Sequence, residues 1–190
     1  MPLTHPPMKI RTHTHSLAVD RQTPELPRQL HAAASQGRTE VIPQLLSRGH
    51  TADEATPIGF TPLHAATLRN QHQVARVLLE HGARPNQQNL LGGVPLLYAA
   101  MKDHVETARE LLTHGAIADI PDKTGATPLL IAAEKNATRV AELLLAHGAD
   151  PARRDDYGRT PMSAAGPGVA SVIRRYLAKK SRASLPPAYN

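Results

Sequence analysis

Thr61-Pro62-Leu63-His64-Ala65-Ala66, followed by Leu78-Leu79 and His81-Gly82-Ala83, decides the fold, because both pieces return at a constant interval. The first recurs at Val94-Pro95-Leu96-Leu97, Thr127-Pro128-Leu129-Leu130 and Thr160-Pro161-Met162-Ser163, each starting 33 residues after the last. The second recurs in step at His114-Gly115-Ala116 and His147-Gly148-Ala149. Extending both ladders backwards by 33 residues reaches Arg28-Gln29-Leu30-His31 and Gly49, so the chain holds five units, the first the most degenerate in its opening half. A period of this length implies a stack: each unit is too small to bury its own apolar face and is covered by its neighbours.

Within a unit the residues ask for two short helices. Thr61 can cap the first with its hydroxyl, and Pro62 suits the first helical position, where a missing N–H costs nothing. Leu63, Ala65 and Ala66 give a thin first helix; Val74, Val77, Leu78 and Leu79 give the stripe of a second, which Gly82 ends in the left-handed conformation. Val94 replaces the capping Thr, so that helix start should be weaker by about 1 kcal/mol. The last unit breaks at Gly166-Pro167-Gly168, which shortens its first helix, and its final helix is expected over about Val169 to Lys179. The stretch between units is polar and turn-rich and predicts an extended return with a tight turn.

The 190 residues contain no cysteine, no Trp and one Phe, which suits a thin Ala/Leu stack and excludes disulfides, thiolate metal sites and thiol catalysis. The net charge of +6 is a property of one end: residues 28–173 balance, with 14 basic and 14 acidic, whereas 174–190 carry +5. A neutral body offers nucleic acid no continuous basic stripe. No stretch approaches a membrane span, and Met1 to Val19 lacks the apolar centre of a secretory signal. The expected compartment is the cytoplasm, with secretion by a signal-peptide-independent route as the alternative. Sixteen Arg against six Lys, with abundant Ala, suggests a GC-rich bacterial coding bias.

These units resemble ankyrin repeats, through the Thr-Pro-Leu-His phrase, the Leu78-Leu79 to Gly82-Ala83 block and their shared period, over about residues 25–180. The resemblance implies an all-α repeat solenoid of helix-turn-helix pairs, with short β-hairpins projecting between repeats. The expected organisation is a disordered tail over 1–22, repeats at about 23–55, 56–88, 89–121, 122–154 and 155–180, and a tail over 181–190. The chain departs from the family where Leu97, Leu130 and Ser163 replace the phrase's His. It departs again where Asn70, Asp103 and Asn136 stand at the usual interhelix Gly.

The resemblance also implies a job: gripping another protein with the hairpin tips and the first-helix face. Carried over residue by residue, that surface is Ile58, Phe60, Leu90, Leu91, Tyr157 and Arg159 at the tips, and Leu68, Arg69, Met101 and Lys102 at the first-helix ends. Apolar residues at turn tips in neighbouring units point to an interaction surface, since turns are otherwise polar; mutual packing of the tips is the competing explanation. The setting expected is a regulator, an inhibitor or immunity protein, or a host-directed effector. The alternative function is attachment to nucleic acid or an anionic membrane through 174–182.

No catalytic constellation, cofactor or metal is expected. His81, His114 and His147 recur on helices standing roughly 8–10 Å apart, too far to share one ion. They are placed instead to bind the helix C-termini, where a cation is favoured. His31 and His64 are expected to hydrogen-bond at the turn–helix junction. Thr12-His13-Thr14-His15 lacks a carboxylate or thiol to complete a metal site. Asp155-Asp156 and Asp53-Glu54 lie on open turns, and Gly92-Gly93 lacks the Lys-Ser/Thr of a phosphate loop.

Overall fold

Ten helices pair off in chain order in the computed structural model, which describes residues 26–183 and the side chains of 28–182. They are α1 (Leu26–Gln36), α2 (Val41–Ser47), α3 (Pro62–Leu68), α4 (His72–Glu80), α5 (Pro95–Lys102), α6 (Val105–Thr113), α7 (Pro128–Glu134), α8 (Thr138–Ala146), α9 (Pro161–Ala164) and α10 (Pro167–Ala183). The odd-numbered helices pack α1 on α3, α3 on α5, α5 on α7 and α7 on α9. The even-numbered ones form a second row behind them, from α2 to α10. The core is therefore a continuous sheet of side chains between two rows, with no centre. Leu30, Leu63, Leu96 and Leu129 form one wholly buried column at the repeat spacing; Leu78, Leu111 and Leu144 form another. Each such Leu contributes about 1.5–3 kcal/mol by burial.

The helix starts follow the sequence expectation. Thr61, Thr127 and Thr160 accept the backbone N–H of His64, Leu130 and Ser163, while Val94 sits in the same extended conformation with no side-chain bond. Gly82, Gly115 and Gly148 end α4, α6 and α8 at φ near 88°, and His81 and His114 bond the carbonyls of Val77 and Glu110 through Nδ1.

The interhelix positions are less obvious from the chain. Asn70, Asp103 and Asn136 are left-handed, at φ 57°, 53° and 52°. Asn and Asp tolerate that region better than other side-chain-bearing residues. Their side chains then reach one unit forward. Asp103 Oδ1 accepts the N–H of Val140 at 3.0 Å, Asn136 Oδ1 that of Val169 at 3.2 Å, and Asn70 Oδ1 the hydroxyl of Thr107 at 2.9 Å. Those donors lie at the third residue of α8, α10 and α6, helices whose own N-cap side chains make no bond or that follow a glycine. α8 and α10 are thus capped by the preceding unit, and α6 is tied to it through the Thr107 hydroxyl.

The expected hairpins are present as closed turns, and no β-strand forms among the described residues. In each turn, Thr56, Asn89, Asp122 and Asp155 donate their N–H to the carbonyl four residues on, and the glycine between returns a bond. The turns also bond one another: Leu90 N–H to Ile58 O at 2.9 Å, Lys123 N–H to Leu91 O at 3.1 Å, and Asp156 N–H to Thr124 O at 3.0 Å. Gly92 is required twice over, by φ 78° and because a Cβ there would lie 2.7 Å from Lys123 N. Side chains tie the returns of successive units together as well. Asp53, Asn86 and Asp119 accept the N–H of Arg84, Ile117 and Asp150 in the next unit.

The last helix differs from its expected span. It begins at Pro167 and runs to Ala183, 17 residues. Ser181 occupies the position of the stop glycines Gly82, Gly115 and Gly148, so nothing turns the chain there. The first three residues of the expected C-terminal tail are therefore helical. The expected N-terminal tail, its His-rich stretch and residues 184–190 lie outside the described residues.

Candidate protein-binding surface

The turn tips and the first helices share one flank, because each turn runs directly into a first helix through Thr-Pro or Val-Pro. Ile58, Leu90 and Leu91 are 60 %, 58 % and 74 % exposed. Such exposure leaves most of each side chain open to solvent. The bond from Leu90 N–H to Ile58 O sets two of the apolar tips side by side.

Phe60 behaves differently from its neighbours at the tip. It is half-buried and packs against the core. Its ring lies 4.9 Å from His64 and 5.5 Å from Tyr98, edge-on to the latter. Tyr98 accepts a bond from Asn89 Nδ2 at 2.6 Å. Phe60 thus anchors the second turn to α3 and α5 and is only partly available to a partner. Tyr98 is a half-buried aromatic of this junction that the reading of the tips missed. Its signal was available: the same position holds Ala65, Ile131 and Ala164 in other units. Ile117, 57 % exposed in the return after α6, was missed for the same reason, standing where Arg84 and Asp150 are polar.

His64 sits at the centre of this junction and is wholly buried. Its Nε2–H donates to the carbonyl of Gly93 at 3.0 Å, in the next unit's turn, and its Nδ1 accepts the N–H of Thr61 at 3.2 Å. Those partners require the neutral tautomer with the proton on Nε2. Burial pushes its pKa down to about 4, against a smaller upward pull from the Gly93 carbonyl. His31 makes the equivalent bond one unit earlier, to Phe60 O at 2.8 Å. Both are braces between units rather than bases.

Along the first helices, Leu68 and Met101 are half-buried, while Arg69, Lys102 and Lys135 are exposed at equivalent positions in successive units. None of these three cations pairs with an acid among the described residues. The flank therefore has apolar tips at one edge and a basic row at the other. Tyr157 is 74 % exposed, but the turn bearing Lys123 and Thr124 separates it from Leu91. Arg159 is committed to its own turn: its Nε donates to Asp155 Oδ2 at 2.7 Å, its guanidinium pairs with Glu134 and lies 5.5 Å from the Tyr157 ring. Asp155 is a turn-former. Desolvation pushes its carboxyl up, but the bonds from Arg159, together with that from Tyr157 N–H, outweigh this and hold it below the usual range. No group of three or more His, Asp or Glu among the described residues is arranged to hold a metal ion. No helix there is long and apolar enough to cross a membrane.

Two rows of helices tied by turn-to-turn bonds, with one flank left open, define a helical-repeat scaffold. The sequence pattern of ankyrin repeats (3 copies) matches residues 20–89 and again 86–155, and the chain belongs to that family. Ankyrin repeats are generally protein–protein interaction modules and generally non-enzymatic. No curated protein matches the chain.

Proposed function

We propose that this chain is a non-enzymatic module that holds one partner protein against its turn tips and first-helix face, acting as a regulator, an inhibitor or immunity protein, or an effector delivered to a host cell. The observation that carries the reading is the exposed apolar set Ile58, Leu90 and Leu91, with two adjacent tips bonded together. Such a patch costs solubility unless something covers it. The unpaired row Arg69, Lys102 and Lys135 adds the opposite edge of the footprint and favours acidic groups on the partner's facing side. Of the other residues expected in the surface, Leu68 and Met101 supply its floor, Phe60 supports it from within, and Tyr157 and Arg159 form a separate outpost two turns away. The cytoplasm is the compartment we assign, consistent with a chain free of cysteine.

The test compares the intact chain with Ile58→Ser/Leu90→Ser/Leu91→Ser in pulldowns from the source organism. A partner retained by the first, lost by the second at equal thermal stability, and only modestly weakened by salt supports the reading. Retention by both sinks it. Attachment to nucleic acid or an anionic membrane through 174–182 would instead weaken steeply with salt.

A further inference from the structure

α10 is almost twice as long as its neighbour, with 17 residues against nine in α8. At 1.5 Å per residue it is about 12 Å longer, and its last turns run past the end of α8. Its last turns and the end of α8 border an open notch of about 820 Å³. Its apolar wall is formed by Leu145, Ala146, Val172 and Tyr176, and its rim by Lys179 and Lys180. A groove between α6 and α8, where no overhang exists, measures about 320 Å³. A terminal unit needs a polar outer face, but this notch faces the preceding unit, so capping does not account for it.

Its charge is unanswered. α10 has no acidic residue, and Arg174, Lys179, Lys180 and Arg182 are all exposed. The one acid lining the notch, Glu142, is already paired with Arg175. The chain's own flanks do not supply the complement: 184–190 contain no Asp or Glu, and 1–25 hold Asp20 and Glu25 against Lys9, Arg11 and Arg21. A nucleic-acid strand leaving the notch along the second helices would meet the ion pairs Glu142–Arg175 and Glu106–Arg139 rather than a row of free cations. We infer that the notch is a second docking site, separate from the turn tips, for an acidic protein segment carrying an apolar anchor. The anchor enters between Ala146 and Tyr176, and carboxylates beside it meet Lys179 and Lys180.

The test is fluorescence anisotropy with the full chain and a labelled amphipathic helical peptide, Glu on one face and Leu on the other. Saturable binding is expected, weakened at least tenfold by Lys179→Glu/Lys180→Glu. Ala146→Lys is the decisive variant, because it adds a cation while filling the notch. It should weaken binding at least threefold. Ile58→Ser/Leu90→Ser/Leu91→Ser should leave binding unchanged, which keeps this site independent of the proposed tip surface. The inference is overturned if the peptide does not bind, if polyglutamate binds as tightly, or if Ala146→Lys strengthens binding. It is equally overturned if the tip variant abolishes binding, or if an oligonucleotide or phosphatidylserine vesicles bind more tightly than the peptide through the same lysines. Melting curves matching the parent establish that each variant is folded.

Discussion

Replacing Asp103 separates two contributions that the structure combines in one side chain. The residue is left-handed at φ 53°, and its Oδ1 takes the otherwise orphaned N–H of Val140 in α8. In Asp103→Gly the backbone is relaxed and the cap is lost. That should cost about 1 kcal/mol for the cap, with about 0.5 kcal/mol more from a freer unfolded chain. In Asp103→Ala the cap is lost and the residue stays left-handed, a conformation Ala tolerates less well than Asp, bringing the total to about 2–3 kcal/mol. Ala should therefore be worse than Gly by about 1 kcal/mol, the reverse of their order at ordinary helical positions. Urea unfolding measures the totals, and hydrogen exchange at Val140 reports the cap locally, which matters in a stack whose units can open separately. If Asp103→Gly equals or exceeds the parent and Val140 keeps its protection, the capping from the preceding unit contributes nothing and the reasoning is wrong.

Val94→Thr should stabilise the protein by about 1 kcal/mol, because the backbone at Val94 already has the extended geometry of Thr61 and Thr127; a rise in the urea midpoint checks it. Between pH 6.5 and about 4 the unfolded chain protonates His64 and the folded chain does not. Stability is thus full above that window and falls through it by about 3 kcal/mol, at 1.36 kcal/mol per unit. Parent and His64→Leu melts at both ends of the window isolate this loss, since Leu97 and Leu130 already occupy the position elsewhere; an equal slope in both proteins would refute it. Ile58→Ser/Leu90→Ser/Leu91→Ser should change stability by no more than about 1.5 kcal/mol in total, whereas Phe60→Ser alone should cost about 2 kcal/mol or more through its ring contacts and burial. Thermal melts of the two variants side by side would show whether Phe60 belongs to the core or to the surface.

The period, the two helices per unit, the Thr-Pro starts and the glycine stops were all legible in the chain, because each is a local requirement repeated at one spacing. So were the exposed tips Ile58, Leu90 and Leu91, as apolar residues where turns call for polar ones. What the sequence did not disclose is where a side chain goes once a neighbour is stacked beside it. Phe60 looks like Ile58 in the alignment of units, yet Tyr98 of the following unit draws it inward. Arg159 has the chemistry of an interface anchor, yet Glu134 and Asp155 engage it. Asn70, Asp103 and Asn136 look like defects in the repeat, yet Asp103 and Asn136 prove to cap helices 37 and 33 residues on, and Asn70 binds the Thr107 hydroxyl 37 residues on. The sequence alone determined the repeat because backbone propensity and apolar spacing act within a unit. The tertiary structure alone decided which polar groups are satisfied and which surfaces stay open, because those depend on the register between units, a relation between residues far apart in the chain.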